Sequence, residues 1–277
     1  MTSLYSAADR RKIAAETMRY FKKIMYALSD KLIPAIRATR FFESTERLPP
    51  LPDTERKRTI YRLHKADTVD TACELKRGGL NPLVLNLASE LNPGGGWSNG
   101  SLAQEECIFI RSTYDLSLNS RHNLDPGRKW SYPIPLLGGI YSPDVLIFRS
   151  GVNEQYRIWK FKEWVYLDFV AVAALRRPKL TPAGRLTDHD AEVTKAKIRT
   201  ILRIAWQTGH STLLLGALGC GAFGNSPQHI AELFKVVFNE EEFLGRFDQI
   251  HFAILDSSRE ANYEVFSDVL VNQVSQD

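Results

Sequence analysis

Two apolar, β-prone runs, "PLVLNLAS" at 82–89 and "STLLLGAL" at 211–218, each lead directly into a glycine-rich turn and then a helix-forming stretch. A run that is apolar on both faces needs cover on both sides of its sheet, and a strand that hands over to a helix through bare backbone is the unit of an α/β fold. The rest of the chain from residue 58 keeps the alternation. "TIYRLHKA" (59–66), "DVLIFRS" (144–150), "WVYLDFVAVAAL" (164–175) and "QIHFAIL" (249–255) read as further strands. Helices are expected at 67–79, capped by Asp67 and stopped by Gly78 and Gly79, and at 103–114. Others are expected at 190–210 with Asp190 as cap and Gly209 as stop, at 226–239 behind Ser226 and Pro227, and at about 258–272. The pattern predicts an α/β sandwich around a parallel or mixed sheet, with ligands at the carboxyl ends of the strands.

The first 57 residues read differently. Ser6 caps a helix over 6–29, and Pro49, Pro50 and Pro52 mark a linker over 42–57. This divides the chain into an N-terminal helical accessory segment, 1–57, and a main domain, 58–277. The polar stretch 115–135 reads as a surface loop or a cover over one end of a ligand.

Composition excludes more than it assigns. The net charge is +4 and the pI about 8.9, compatible with an anionic substrate but without a basic block that would indicate nucleic-acid readout. Cys73, Cys107 and Cys220 are too far apart for a zinc site or a disulfide framework, which favours a reducing, intracellular setting. The six histidines lack ligand spacing. The N-terminus is charged where a signal peptide is apolar, and no apolar run approaches the ~20 residues of a membrane span.

The two glycine-rich turns carry the chemistry. The first is "NPGGGWSNGSLAQEE" (92–106); the second has four glycines between Gly216 and Asn225. Either could be simple chain reversal, or a backbone cradle for phosphate at a helix N-terminus. Neither is a Walker loop or a dinucleotide fingerprint. Glu105 and Glu106 are neighbours on a helix, where directions diverge by ~100°, so they cannot flank a bond as a glycosidase pair does. They could share one site with unequal roles, or merely stabilise the helix N-terminus. Cys220 lies near a helix start, yet without a His–Asp partner it reads as packing rather than a nucleophile.

Three glycines, Gly94, Gly95 and Gly96, followed after seven residues by Gln104, Glu105 and Glu106 resemble the signature of the poly(ADP-ribose) glycohydrolases, in their microbial branch. "VLNLASELNPGGGW", "AQEECIFIRSTY", "IYSPDVLIFR" and "GHSTLLLGALGCGAFGNSP" resemble successive blocks of that family. The resemblance implies a macrodomain-like three-layer α/β/α sandwich around a mixed central sheet, with an N-terminal helical extension. It implies that Glu106 is the catalytic acid and base at the ribose–ribose bond and that Glu105 holds ribose hydroxyls. Gly94, Gly95 and Gly96 would lie against the distal ribose and diphosphate, Gln104 would bind substrate, and Asn86 and Asn92 would contact ribose or serve the turns. Gly219, Cys220 and Gly221 would give backbone donors to the diphosphate, with Ala222 in the same loop and Phe223 stacked near the terminal ribose. The implied partners are poly(ADP-ribose), ADP-ribose and ADP-ribosylated proteins, with no cofactor, no metal, no direct nucleic-acid readout, no membrane, and a monomeric state. Leu218 and Ala222 stand where the family has tryptophan and valine, which alters the shape of the diphosphate loop.

Overall fold

A computed structural model describes residues 5–53, 55–256 and 261–270. Seven strands form one mixed sheet: β1 (Arg40–Phe42), β2 (Ile60–His64), β3 (Pro82–Leu87), β4 (Gly139–Ile147), β5 (Val165–Val172), β6 (Thr212–Leu215) and β7 (Gln249–Ala253), in the order β1-β4-β5-β3-β6-β7-β2. Strands β5, β3, β6, β7 and β2 run parallel, whereas β4 is antiparallel to both β5 and β1. Leu83, Val84 and Leu85 of β3 are fully buried, which accounts for the unbroken apolar run read in the sequence.

Helices cover both faces. On one side pack α1 (Ala7–Arg37), α2 (Thr68–Arg77), α3 (Gln104–Arg111) and α4 (Tyr114–Leu118), through Phe21, Ile24, Val69, Ile108 and Tyr114 against Val84, Phe169 and Leu214. On the other pack α5 (Asp188–Gln207), α6 (Pro227–Phe238) and α7 (Asn262–Leu270), through Ile198, Ile201, Phe234 and Phe266 against Leu83, Leu85 and Phe252. The result is the expected α/β/α sandwich. Among the described residues no helix is long and apolar enough to cross a membrane.

Several local expectations need correction. The first helix does not stop near residue 29. Its backbone leaves helical geometry at Leu28 and resumes to Arg37, with Pro34 inside. The stretch after it is not a free linker: β1 pairs with β4, and the Thr45 amide donates to Leu137 O at 2.9 Å. Leu48 and Leu51 enter the core, and Glu242 holds both the Leu51 amide and the Arg203 guanidinium. The cap of α5 is Thr187, whose hydroxyl accepts from the Asp190 amide, rather than Asp190 itself. Residues 115–118 are not surface loop but the buried helix α4, where Asp115 pairs with Arg121 and His122. A charged residue reads as exposed in sequence, and only the partners the fold brings to it change that.

Candidate active site

Strand β3 delivers Asn86 and Leu87 to the carboxyl edge of the sheet, and the chain then loops through residues 88–103 before entering α3. The Gln104 side chain closes this loop onto the strand. Its carbonyl accepts from the Leu87 amide at 2.8 Å, and its amide donates to Leu85 O at 2.7 Å and Thr68 Oγ1 at 3.4 Å. Both ends of the Gln104 amide are engaged with the strand and α2. It fixes where the two following glutamates stand.

Glu105 and Glu106 diverge from the first turn of α3, as helix geometry requires. Glu105 points inward and is 3% exposed. Its Oε1 accepts from Asn86 Nδ2 and the Gly94 amide, each at 3.2 Å, and its Oε2 accepts from the Ser89 amide at 2.7 Å. Burial pushes its carboxyl up to about 8, against the pull of the Ser89 and Asn86 donors and helped by the neighbouring charge of Glu106. Glu106 turns to the other side of the loop, where Oε1 accepts from the Gly96 amide at 3.1 Å. Its Oε2 takes no hydrogen bond from the described residues.

The glycines make this approach possible. Gly94 and Gly95 have φ of +76° and +54°. A side chain on Gly94 would strike the Phe109 ring, and one on Gly96 would strike Ser101. Asn86 is fully buried, as a contact of Glu105. Asn92 is exposed and contributes through its backbone, accepting from the Gly95 amide at 3.1 Å. It serves the turn.

The second glycine loop follows β6, the neighbour of β3, so the two loops leave adjacent strands at one edge. Of the three expected donors, the Cys220 amide is already engaged with Ala217 O at 3.1 Å, and its thiol leans on Leu218 O. The amides of Gly219 and Gly221 have no backbone partner among the described residues. Gly219, with φ +76°, packs against Asn225 and Ala174, while Gly221 faces open space. The Asn225 side chain donates to Leu175 O and Gly219 O and sets the loop's shape. Ala222 is exposed at the loop's outer turn, whereas Phe223 is half-buried against the core, with its carbonyl held by the Arg177 amide and its ring under the Arg176 guanidinium.

Sequence reasoning missed three features. One is the Ser89 amide, a backbone group that carries no residue signal. Another is a group of buried polar atoms beside Glu105. The Tyr114 hydroxyl, Ser142 Oγ and Asn86 Oδ1 cluster beside the buried Tyr132 hydroxyl, and burial first, then the nearby Glu105 carboxyl, pushes both tyrosines above the ordinary phenol value. The third is α1. The Arg10 guanidinium donates to Gly100 O at 2.7 Å and Tyr5 O at 2.5 Å, and a Cβ on Gly100 would lie 2.3 Å from Ala7 O. Among the described residues no three His, Cys, Asp or Glu side chains gather as a metal site.

A family model for the microbial-type PARG catalytic domain, PARG being poly(ADP-ribose) glycohydrolase, matches residues 8–150. No curated protein matches the chain. Among solved structures, the poly(ADP-ribose) glycohydrolase of Thermomonospora curvata is 27% identical, with 94% of this chain and 99% of that one covered and a TM-score of 0.76. The same enzyme bound to the inhibitor ADP-HPD is 28% identical, with 94% and 98% covered and a TM-score of 0.75. The poly(ADP-ribose) glycohydrolase of Deinococcus radiodurans in complex with ADP-ribose is 25% identical, with 86% and 96% covered and a TM-score of 0.67.

Proposed function

Because the chain belongs to the microbial-type poly(ADP-ribose) glycohydrolase family, we propose that it hydrolyses the ribose–ribose O-glycosidic bond of poly(ADP-ribose), working from chain ends and releasing ADP-ribose. The observation that carries this reading is the placement of Glu106. One carboxyl oxygen is held by the Gly96 amide and the other is uncommitted, beside the bare backbone of Gly95 and Gly96.

In this reading the terminal ADP-ribose unit lies across the two glycine loops. Its diphosphate faces the Gly219 and Gly221 amides and the start of α6, where backbone N–H groups favour an anion. Phe223 covers the distal ribose. Glu105, with lone pairs to spare beyond its three donors, takes a ribose hydroxyl while holding Gly94 and Ser89 in place. Glu106 gives its proton to the departing 2′-oxygen as the ribose carbon becomes oxocarbenium-like, then takes a proton from the attacking water. The chemistry belongs to residues 58–277, a macrodomain-like unit, with 1–57 bracing it. The protein works as a monomer on free or protein-attached polymer.

The test compares wild type and Glu106→Gln on labelled poly(ADP-ribose), on mono-ADP-ribosylated protein and on O-acetyl-ADP-ribose. Polymer is cleaved to ADP-ribose by wild type, and the variant is slower by about 10²- to 10⁴-fold, the usual yield of a positioned acid–base group. Equal turnover by the two proteins, or exclusive action on the two smaller substrates, would remove this assignment.

A further inference from the structure

Helix α1 holds a disproportionate share of the molecule's positive charge. Residues 7–37 contain eight basic and three acidic side chains, a net +5, whereas the whole chain carries +4. The remainder is therefore slightly acidic. Of the three acids, two are already committed. Asp9 forms the capping box with Ser6, and Glu16 pairs with the buried Arg149 at 2.7 Å. The cations are left uncompensated: among the described residues no carboxylate lies within ion-pair distance of Lys12, Arg19, Lys22 or Lys23.

These cations share a face. At ~100° per residue, Lys12, Arg19, Lys23 and Tyr26 fall on one narrow stripe, with Lys22 flanking it, opposite the buried Ala14, Thr17, Phe21 and Ile24. Tyr26 is 94% exposed. An aromatic ring on a cationic track is the arrangement that binds a flexible polyanion bearing bases, the charges following phosphates and the ring stacking a base.

The stripe also begins beside the loop that leads to Glu106. The start of α1 abuts the loop that carries Glu106's amide partner, through Arg10 to Gly100 O and Arg11 to Asn99 O. From Lys12 to Tyr26 the helix rises ~21 Å. We propose that the outer face of α1 is a track for the rest of the poly(ADP-ribose) chain, the part beyond the terminal unit on the leaving-oxygen side of the scissile bond. This rests on the polymer-hydrolase reading above and adds to it a second binding surface, outside the glycine loops. The track raises affinity for long chains and does nothing for a substrate of two units, which ends before reaching it.

The test uses the full chain carrying Arg19→Glu, Lys22→Glu and Lys23→Glu together, and separately Tyr26→Ala. All four side chains point to solvent, so unchanged thermal melting is expected and checks the fold. On long polymer kcat/KM falls at least tenfold in the triple variant and about fivefold in Tyr26→Ala, while turnover of the two-unit substrate is unchanged. Polymer binding is measured in a Glu106→Gln background. There the plot of log affinity against log salt becomes shallower by about 2, for three lost phosphate contacts on a single strand. Unchanged binding and turnover of long polymer would overturn the track. So would loss of duplex DNA binding alone, which would assign the stripe to nucleic acid. If wild type cleaves neither substrate, the hydrolase reading fails; the salt-slope measurement still decides the track.

Discussion

Gly95 and Glu106 stand so close that a Cβ on the glycine would lie 2.7 Å from Oε1 of the glutamate. The obstacle is the far end of a flexible side chain, which can move aside. Gly95→Ala should therefore cost little more stability than the strain of alanine at φ +54°, about 1 kcal/mol, while displacing the Glu106 carboxyl. Activity on polymer is expected to fall 10²-fold or more. Gly94→Ala behaves oppositely. Its Cβ would lie 2.4 Å from the Phe109 ring and 2.6 Å from Trp97, both packed in the core, so its main effect is a loss of about 3 kcal/mol in denaturant unfolding. Similar stabilities for the two variants would refute the distinction.

Glu105 gives a pH signature. Its folded-state value is raised from 4.5 to about 8 by burial, so the native state favours the protonated form. The stability this confers is fully present below pH 4.5 and is lost as pH rises toward 8. The shift of 3.5 units corresponds to about 4 to 5 kcal/mol across that window. Glu105→Gln cannot titrate. The difference in unfolding free energy between variant and wild type should move in the variant's favour by roughly that amount between pH 4.5 and 8. A difference that stays flat with pH would show that the three donors keep Glu105 charged.

Much of this was legible in the sequence because burial on both faces leaves a run such as "PLVLNLAS" with no polar alternation, and because glycines followed by Gln104, Glu105 and Glu106 form an ordered pattern. What was not legible depends on partners far away in the chain. Strand β1 is three residues long and exists because β4 lies beside it. Asp115 is buried because Arg121 and His122 meet it. The histidines show no ligand spacing, yet His64 and His251 meet across parallel strands β2 and β7. Gln104 stands out in the motif, but its hold on Leu85, Leu87 and Thr68 does not. Residue type cannot show whether an amide faces ligand or strand.

Arg10 tests whether α1 is coupled to catalysis. Its guanidinium bridges Gly100 O, at the far end of the loop that follows β3, and Tyr5 O. Arg10→Ala should lower kcat about tenfold with little change in KM, since the glycine amides that hold Glu105 and Glu106 lose their anchor but the glycine loop after β6 does not. Arg10→Lys should not restore kcat, because an ammonium on a flexible stem cannot reproduce the planar fork on two carbonyls. A fall in thermal stability with kcat intact would make Arg10 a structural residue only.

The His64–His251 pair sets an acid limit on the fold. The rings stack with centroids 5.2 Å apart, and His64 Nε2 and His251 Nδ1 are 2.9 Å apart. His251 Nε2 lies 2.9 Å from Gln249 Oε1. With one proton per ring the chain is satisfied: His251 donates to Gln249 and accepts from His64. A second proton on His251 would set two donors face to face. Burial pushes His251 down from 6.5 to about 4, and the neighbouring His64 and Arg62 push the same way; Glu74 opposes this only at His64. A lowered histidine value means that the unfolded chain binds the proton first. Stability is therefore full above pH 6.5 and declines as pH falls toward 4, by about 3 kcal/mol for a shift of 2.5 units. His251→Leu removes the titrating group from a site that is 1% exposed. Its stability at neutral pH should be lower, because His64 loses its acceptor, but the decline between pH 6.5 and 4 should be shallower than in wild type. Urea unfolding at half-unit pH steps reads both slopes, and parallel slopes would mean that acid acts on the fold elsewhere.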